Sequence, residues 1–170
     1  MDQITADVML KGEVWEKVIT GLCPHIFKTY YSVYLLCASI GIMYDKQELF
    51  EDADNDEVKT IPRTVLHNNS AELEILFQTA ILASKEIDFD EDTRLELAFG
   101  SKKMDNMTSM QFLTRYANYG AVILIEKITE DALETLENIK DFLASTVEGT
   151  NFDIDPLSDD LVDIELEDLE

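Results

Sequence analysis

Four side chains in this sequence could bind a soft metal or supply a nucleophile: Cys23, His25, Cys37 and His67. A structural zinc site takes four sulfur or nitrogen ligands, usually with a close pair of cysteines. No such pair exists here. Cys23 and His25 could in principle act as nucleophile and base, but a spacing of two does not make their side chains meet, and no oxyanion-stabilising motif accompanies them. Both cysteines lie in apolar stretches and read as buried packing residues of a reducing cytoplasm, without a disulfide. Hard cations are served no better. Asp52, Asp54 and Asp56 have the first, third and fifth places of a calcium loop, yet the required glycine is Glu57 and the bidentate acid is Arg63. Asp88, Asp90 and Asp92 fail in the same way, with Thr93 and Phe99 in those places. Both runs read as solvated loop charge. The six glycines are scattered and form no phosphate-binding pattern. No catalytic residue, metal or cofactor is expected, and the chain reads as a binding protein that is not an enzyme.

The charge restricts what it could bind. Thirteen basic against 36 acidic side chains give a net charge of −23 over 170 residues. Affinity for a phosphate backbone comes largely from Lys and Arg displacing counterions, so direct nucleic-acid binding is excluded as an expectation. An anionic membrane surface is disfavoured for the same reason. Phe27, Tyr30, Tyr31 and Tyr34 could stack on bases, but no basic groove accompanies them, and core packing with phenolic hydrogen bonds is the better reading. Basic proteins, including those that handle DNA, are the partners such a surface suits.

The elements that would position these residues are helical. Val14, Trp15, Val18 and Ile19 have helical spacing, with Gly21 and Pro24 as a stop. Thr29 opens an apolar stretch, Tyr30 to Ile40, that belongs inside a core, and Gly41 is read as its left-handed cap. Residues 44–60 turn polar and read as a surface loop. Asn69 and Glu72 form a capping box ahead of a stripe carrying Leu73, Leu76, Phe77, Ala80, Ile81 and Ala83, to about Lys85. A short helix covers Glu91 to Phe99 and stops at Gly100. Thr108 or Ser109 caps the next, with Phe112, Leu113, Tyr116, Val122, Ile123 and Ile125, and Gly120 inside it implies the close approach of another helix. Thr129 caps the last, whose apolar face is Leu133, Leu136, Ile139, Phe142 and Leu143. Hydrophobic residues are 46% of the chain, enough for one core. The expected fold is all-α, one compact bundle of about six helices over residues 1–149, followed by an acidic tail over 150–170.

From Phe152 onward nine acids occur with no base. Seven aliphatic residues are interleaved with them. That mixture is typical of segments that order on a partner. Leu157, Leu161, Val162, Ile164 and Leu166, with Asp159, Asp160, Asp163 and Glu165, are therefore the candidate partner-binding residues. No run of apolar residues is long enough to span a membrane, and Met1 to Leu10 lacks the features of a signal peptide, so a cytoplasmic location is expected.

Two segments together carry a family resemblance: Ile26-Phe27-Lys28-Thr29-Tyr30 running into Leu35-Leu36-Cys37-Ala38-Ser39-Ile40-Gly41, and Phe112-Leu113-Thr114-Arg115-Tyr116-Ala117-Asn118-Tyr119-Gly120. Over residues 18–145 the arrangement resembles the DNA phosphorothioation (Dnd) system-associated protein 4 family. The basic cluster associated with the segment after the first glycine is replaced here by Asp45, Lys46, Gln47 and Glu48. The resemblance implies a prokaryotic genome-defence setting and supplies no catalytic residue. The expected function is that of an accessory or adaptor protein of a phage-defence or DNA-modification system, binding a larger or basic nucleic-acid-processing protein. The alternative is a DNA mimic, whose acids would imitate spaced phosphates in the groove of a DNA-binding enzyme. A mimic spreads its acids along an elongated face, whereas an adaptor keeps them around an exposed apolar patch.

Overall fold

Thr29 starts the central helix by accepting the Ser32 amide on its hydroxyl at 3.2 Å, which satisfies one of the unpaired donors of a helix N-terminus. The computed structural model describes residues 1–50 and 58–147. Within them a short strand β1 (Val8–Leu10) precedes α1 (Glu13–Leu22) and α2 (Tyr30–Met43). A second strand, β2 (Lys59–Ile61), leads to α3 (Arg63–Asn68), α4 (Ser70–Ala83) and α5 (Glu91–Phe99). The chain continues through α6 (Ser109–Ile125) and α7 (Ala132–Val147). The expected all-α bundle is what forms.

Its centre is an antiparallel pairing of α2 with α6. Helix α2 buries Val33, Tyr34, Cys37, Ala38 and Ile40, and α6 buries Phe112, Leu113, Tyr116, Ala117, Ala121 and Leu124. Glycines let the two backbones touch. A methyl group added at Gly120 would lie 2.6 Å from the Cys37 carbonyl carbon, and one at Gly41 equally close to that of Tyr116. The mid-helix Gly120 thus has the packing role expected of it. Gly41 does not have its expected role. It lies within α2, and the left-handed residue that ends this helix is Asp45, with φ 50°. The amides of Asp45 and Lys46 reach back to the carbonyls of Ile42 and Gly41 at 3.0 Å each, closing a Schellman turn.

Around this pair α1 buries Trp15, Val18, Ile19 and Leu22, while α4 buries Leu73, Phe77, Ala80 and Ile81. Phe112 meets Phe77 and Tyr116 edge-on at centroid distances of 5.7 and 5.1 Å, a favoured arrangement of aromatic quadrupoles. The Trp15 indole donates to the Asn118 side-chain oxygen at 2.8 Å, and the Asn118 amide donates to the Glu48 carbonyl at 3.1 Å. One side chain of α6 therefore ties α1 and the chain after α2 to the core.

Several local expectations are corrected. Strands β1 and β2 pair antiparallel, with Val8 opposite Ile61 and Leu10 opposite Lys59, so the end of the expected loop is a strand. Three residues are too few to show alternation. Helix α3 was hidden in the same way by its six residues. Asn69 does not form a capping box; its side chain donates to the Val65 carbonyl at 2.7 Å and so closes α3. The carboxylate that caps the start of α7 belongs to Asp131, which accepts the amides of Leu133 and Glu134 at 2.8 and 2.9 Å. Thr129 instead donates to the Asp131 carbonyl. Helix α7 buries Thr135, Ile139, Phe142 and Thr146, whereas Leu133 and Leu136 are exposed. The capping box expected of Thr108 is present, with Gln111 as its partner.

Candidate functional site

Arg94 builds the surface of most interest. Its guanidinium donates to the carbonyls of Ile81, Ile87 and Phe89 at 2.7, 2.6 and 3.1 Å. It thereby satisfies the end of α4 and ties it to the first turns of α5. Towards the other end, the Gln78 amide donates to the Ala98 carbonyl at 3.2 Å. With residue 78 beside 98 and 81 beside 94, the helices run antiparallel. The helical period then sets Ile75, Thr79 and Leu82 along one line of α4, and Leu95 with Phe99 along one line of α5. Both lines lie on the outer side of the pair, away from Leu73, Phe77, Leu97 and Ala98, which are buried.

The face so formed is apolar. Ile75 and Phe99 are each 64% exposed, Leu95 45% and Leu82 42%. Isolated exposed leucines are ordinary, but large apolar side chains gathered on one helical hairpin mark interaction surfaces. The surroundings are acidic. Residues 70–100 hold Glu72, Glu74, Glu86, Asp88, Asp90, Glu91, Asp92 and Glu96, all exposed, against Lys85 and Arg94. Asp90 is the N-cap of α5. It accepts the Thr93 amide and hydroxyl at 2.8 and 2.9 Å, and these bonds hold its carboxyl below the usual range. The acids read as failed calcium ligands thus include a helix cap and, in Asp92, part of the rim of this face.

Sequence reasoning assigned α4 a single stripe and missed the outer line. The signal was present, because Ile75 and Leu82 lie off that stripe and leave α4 apolar on opposite sides.

The other candidates fare differently. The tail residues Leu157, Asp159, Asp160, Leu161, Val162, Asp163, Ile164, Glu165 and Leu166 lie outside the described residues, as do Asp52, Asp54, Asp56 and Glu57. Cys37 is fully buried in the contact of α2 with α6, and burial pushes its thiol up. Cys23 is only partly buried, contrary to the expectation for it, and that partial burial still raises its thiol, the reverse of what activates a nucleophile. The described residues hold no group of three or more potential metal ligands. Of the aromatic group, Tyr31 and Tyr34 pack in the core as expected, the Tyr31 hydroxyl donating to Glu72 at 3.0 Å and those of Tyr34 and Thr114 lying 3.2 Å apart, whereas Phe27 is half-buried and Tyr30 is exposed.

A cleft of about 500 Å³ lies between residues 2–9, Leu49 and Phe50, and the start of α6. Its two carboxylates and the Asn118 amide are engaged. Asp2 holds the Ser109 amide at 3.1 Å and Lys103 at 3.6 Å, Asp7 accepts the Arg63 amide at 2.7 Å, and Asn118 holds Trp15. The cleft offers packing surface around Met107 and Met110 more than acid–base chemistry. No helix among the described residues is long and apolar enough to cross a membrane. Compared with family models, curated proteins and solved structures, the chain matches none.

Proposed function

We propose that this chain is a non-enzymatic accessory protein that acts by binding another protein through the α4–α5 face. The observation that carries the reading is the exposure of Ile75, Leu82, Leu95 and Phe99 on one antiparallel helix pair. Taking a large apolar side chain from exposed to fully buried contributes roughly 1.5–3 kcal/mol, and these four, 42–64% exposed, have about half of that each to gain before ordering costs, enough together to anchor a specific complex. The resemblance to the Dnd system-associated protein 4 family supplies the proposed setting, a prokaryotic phage-defence or DNA-modification system in the cytoplasm. The acidic-hydrophobic tail is proposed as a second contact of the same adaptor.

The DNA-mimic reading rests on the net charge of −23. Phosphate imitation has no use for exposed Ile75 and Phe99, and that favours the adaptor. A pull-down from the native cell, with the parent chain and Leu95→Ser/Phe99→Ser side by side, tests the choice. The adaptor loses its partner with this substitution. A mimic keeps it and releases it in high salt.

A further inference from the structure

Building on the protein-binding reading, we infer that the segment received by the α4–α5 face is a basic amphipathic helix, with one apolar stripe flanked by Lys and Arg. The shape of the face points to a helix. Ile75 and Leu82 lie seven residues apart on α4 and Leu95 and Phe99 four apart on α5, so the anchors line two adjacent ridges. A helix laid along the line between such ridges presents side chains at i, i+3 or i+4, and i+7, the usual spacing by which an amphipathic helix is recognised. At 1.5 Å per residue the Ile75–Leu82 separation is about 10 Å, which a docked helix of about three turns covers.

Charge decides what kind of helix. Eight exposed acids stand on residues 70–100. Of the cations beside them, Arg94 is tied to three backbone carbonyls, Lys102 donates to the Thr93 hydroxyl at 3.0 Å next to Asp90, and the Met1 ammonium pairs with Glu74 at 3.5 Å, so with Lys85 added the acids still outnumber the bases two to one. Asp92 and Glu96 lie within one helical turn of Leu95 and Phe99, where they would meet the flanks of whatever covers those side chains. A second copy of the chain would set acidic rim against acidic rim. The chain's own tail brings nine more acids and no base. Lysines and arginines beside an apolar stripe meet both demands, burying the stripe and pairing with the rim.

The test uses the full chain and a fluorescent 14-residue peptide of Lys and Leu, with its leucines at i, i+3, i+4 and i+7, followed by anisotropy at physiological salt. Two further peptides serve as probes, one with the same composition and its leucines dispersed around the helix, the other with Glu in place of Lys. The amphipathic basic peptide is expected to bind at least tenfold more tightly than either. Leu95→Ser/Phe99→Ser should weaken it at least tenfold. Leu133→Ser/Leu136→Ser, which alters the exposed leucines of α7, should leave it within twofold, and Asp92→Asn/Glu96→Gln should weaken it severalfold with a shallower salt dependence. Equal binding of the dispersed peptide, or indifference to Leu95→Ser/Phe99→Ser, overturns the inference. A photo-crosslinking amino acid at position 99, used in the native cell, separates it from the parent reading. Attachment to a partner segment without Lys or Arg overturns the basic helix and leaves the adaptor standing. Attachment to no protein overturns both.

Discussion

The α-carbon of Gly120 rests against the carbonyl of Cys37, and four residues along each helix Gly41 rests against Tyr116 in the reciprocal sense. The contact is backbone to backbone, so neither partner can rotate aside. Gly120→Ala and Gly41→Ala are therefore each expected to cost about 2 kcal/mol or more, at or above the middle of the usual range for overpacking. Gly21→Ala is the control. Its added methyl meets the side-chain Cγ2 of Ile128 at 2.5 Å, a group that can move. Its stability should stay within about 1 kcal/mol of the parent, since helix propensity offsets the crowding. Urea unfolding measures all three, and a Gly120→Ala chain as stable as the parent would refute the close packing.

The chain has a single tryptophan, so Trp15 emission reports on the core of the parent and of Asn118→Leu, and urea unfolding followed by circular dichroism serves the variants that lack it. Asn118→Leu leaves the buried indole N–H without an acceptor and should cost about 1–3 kcal/mol. Removing both partners, as Trp15→Phe/Asn118→Leu, should cost less than the two single changes added together. Strict additivity would mean the 2.8 Å bond contributes nothing.

Asp45 joins the end of α2 to the end of α4, accepting the amides of Lys85 and Glu86 at 2.6 and 3.0 Å and the Tyr116 hydroxyl at 3.3 Å. Burial alone would raise its carboxyl. The neighbouring Ser84 hydroxyl and these donors outweigh burial and hold the carboxyl below its ordinary value. A depressed carboxylate stabilises the fold above its unfolded pKa of about 3.9 and ceases to do so as the pH falls through the lower folded value. Asp45→Asn should therefore cost about 1 kcal/mol at pH 7 and progressively less below pH 4. A loss that stays constant down to pH 2 would assign the role to shape instead of charge. Asp45→Gly relieves the positive φ but also removes the acceptor, so it should not exceed the stability of the parent.

Arg94→Lys keeps the charge and loses the planar fork that reaches three carbonyls. The expected cost is about 1–2 kcal/mol, for the loss of one or two bonds to a charged donor. Amide exchange should quicken across residues 84–99 before it does in α2 or α6. Uniform quickening would show that the α4–α5 pair does not open on its own.

Ending the chain after Asn151 removes the nine acids and seven aliphatics of the tail. The bundle should keep its helical circular dichroism and melt within a few degrees of the full chain. Partner capture should weaken and Leu95→Ser/Phe99→Ser should abolish it. A truncated chain that captures as well as the parent would leave the α4–α5 face as the whole interface.

Sequence periodicity by itself determined the helices with a clear stripe or cap. Thr29, Thr108, Gly100 and the apolar run from Tyr30 to Ile40 act locally, through hydrogen bonds and side-chain spacing within a few residues. Gly120 was legible for a related reason, because a mid-helix glycine without a packing role would only weaken its helix. What adjoins each helix was not legible. Gly41 and Asp45 are both suited to end α2, and the choice fell to Asp45 because the approach of Tyr116 leaves Gly41 no room outside the helix contact, while Lys85, Glu86 and Tyr116 give the Asp45 carboxylate its donors. Asn69 bonded back to Val65 because α3 ends there. The α4–α5 face needed the tertiary structure most. Ile75 and Leu82 could have faced another element of the bundle, and it is the docking of α5, held by Arg94 and Gln78, that leaves them beside Leu95 and Phe99 with solvent in front. Local rules specify which residues share a side of a helix, but which side meets the core depends on the elements that arrive from elsewhere in the chain.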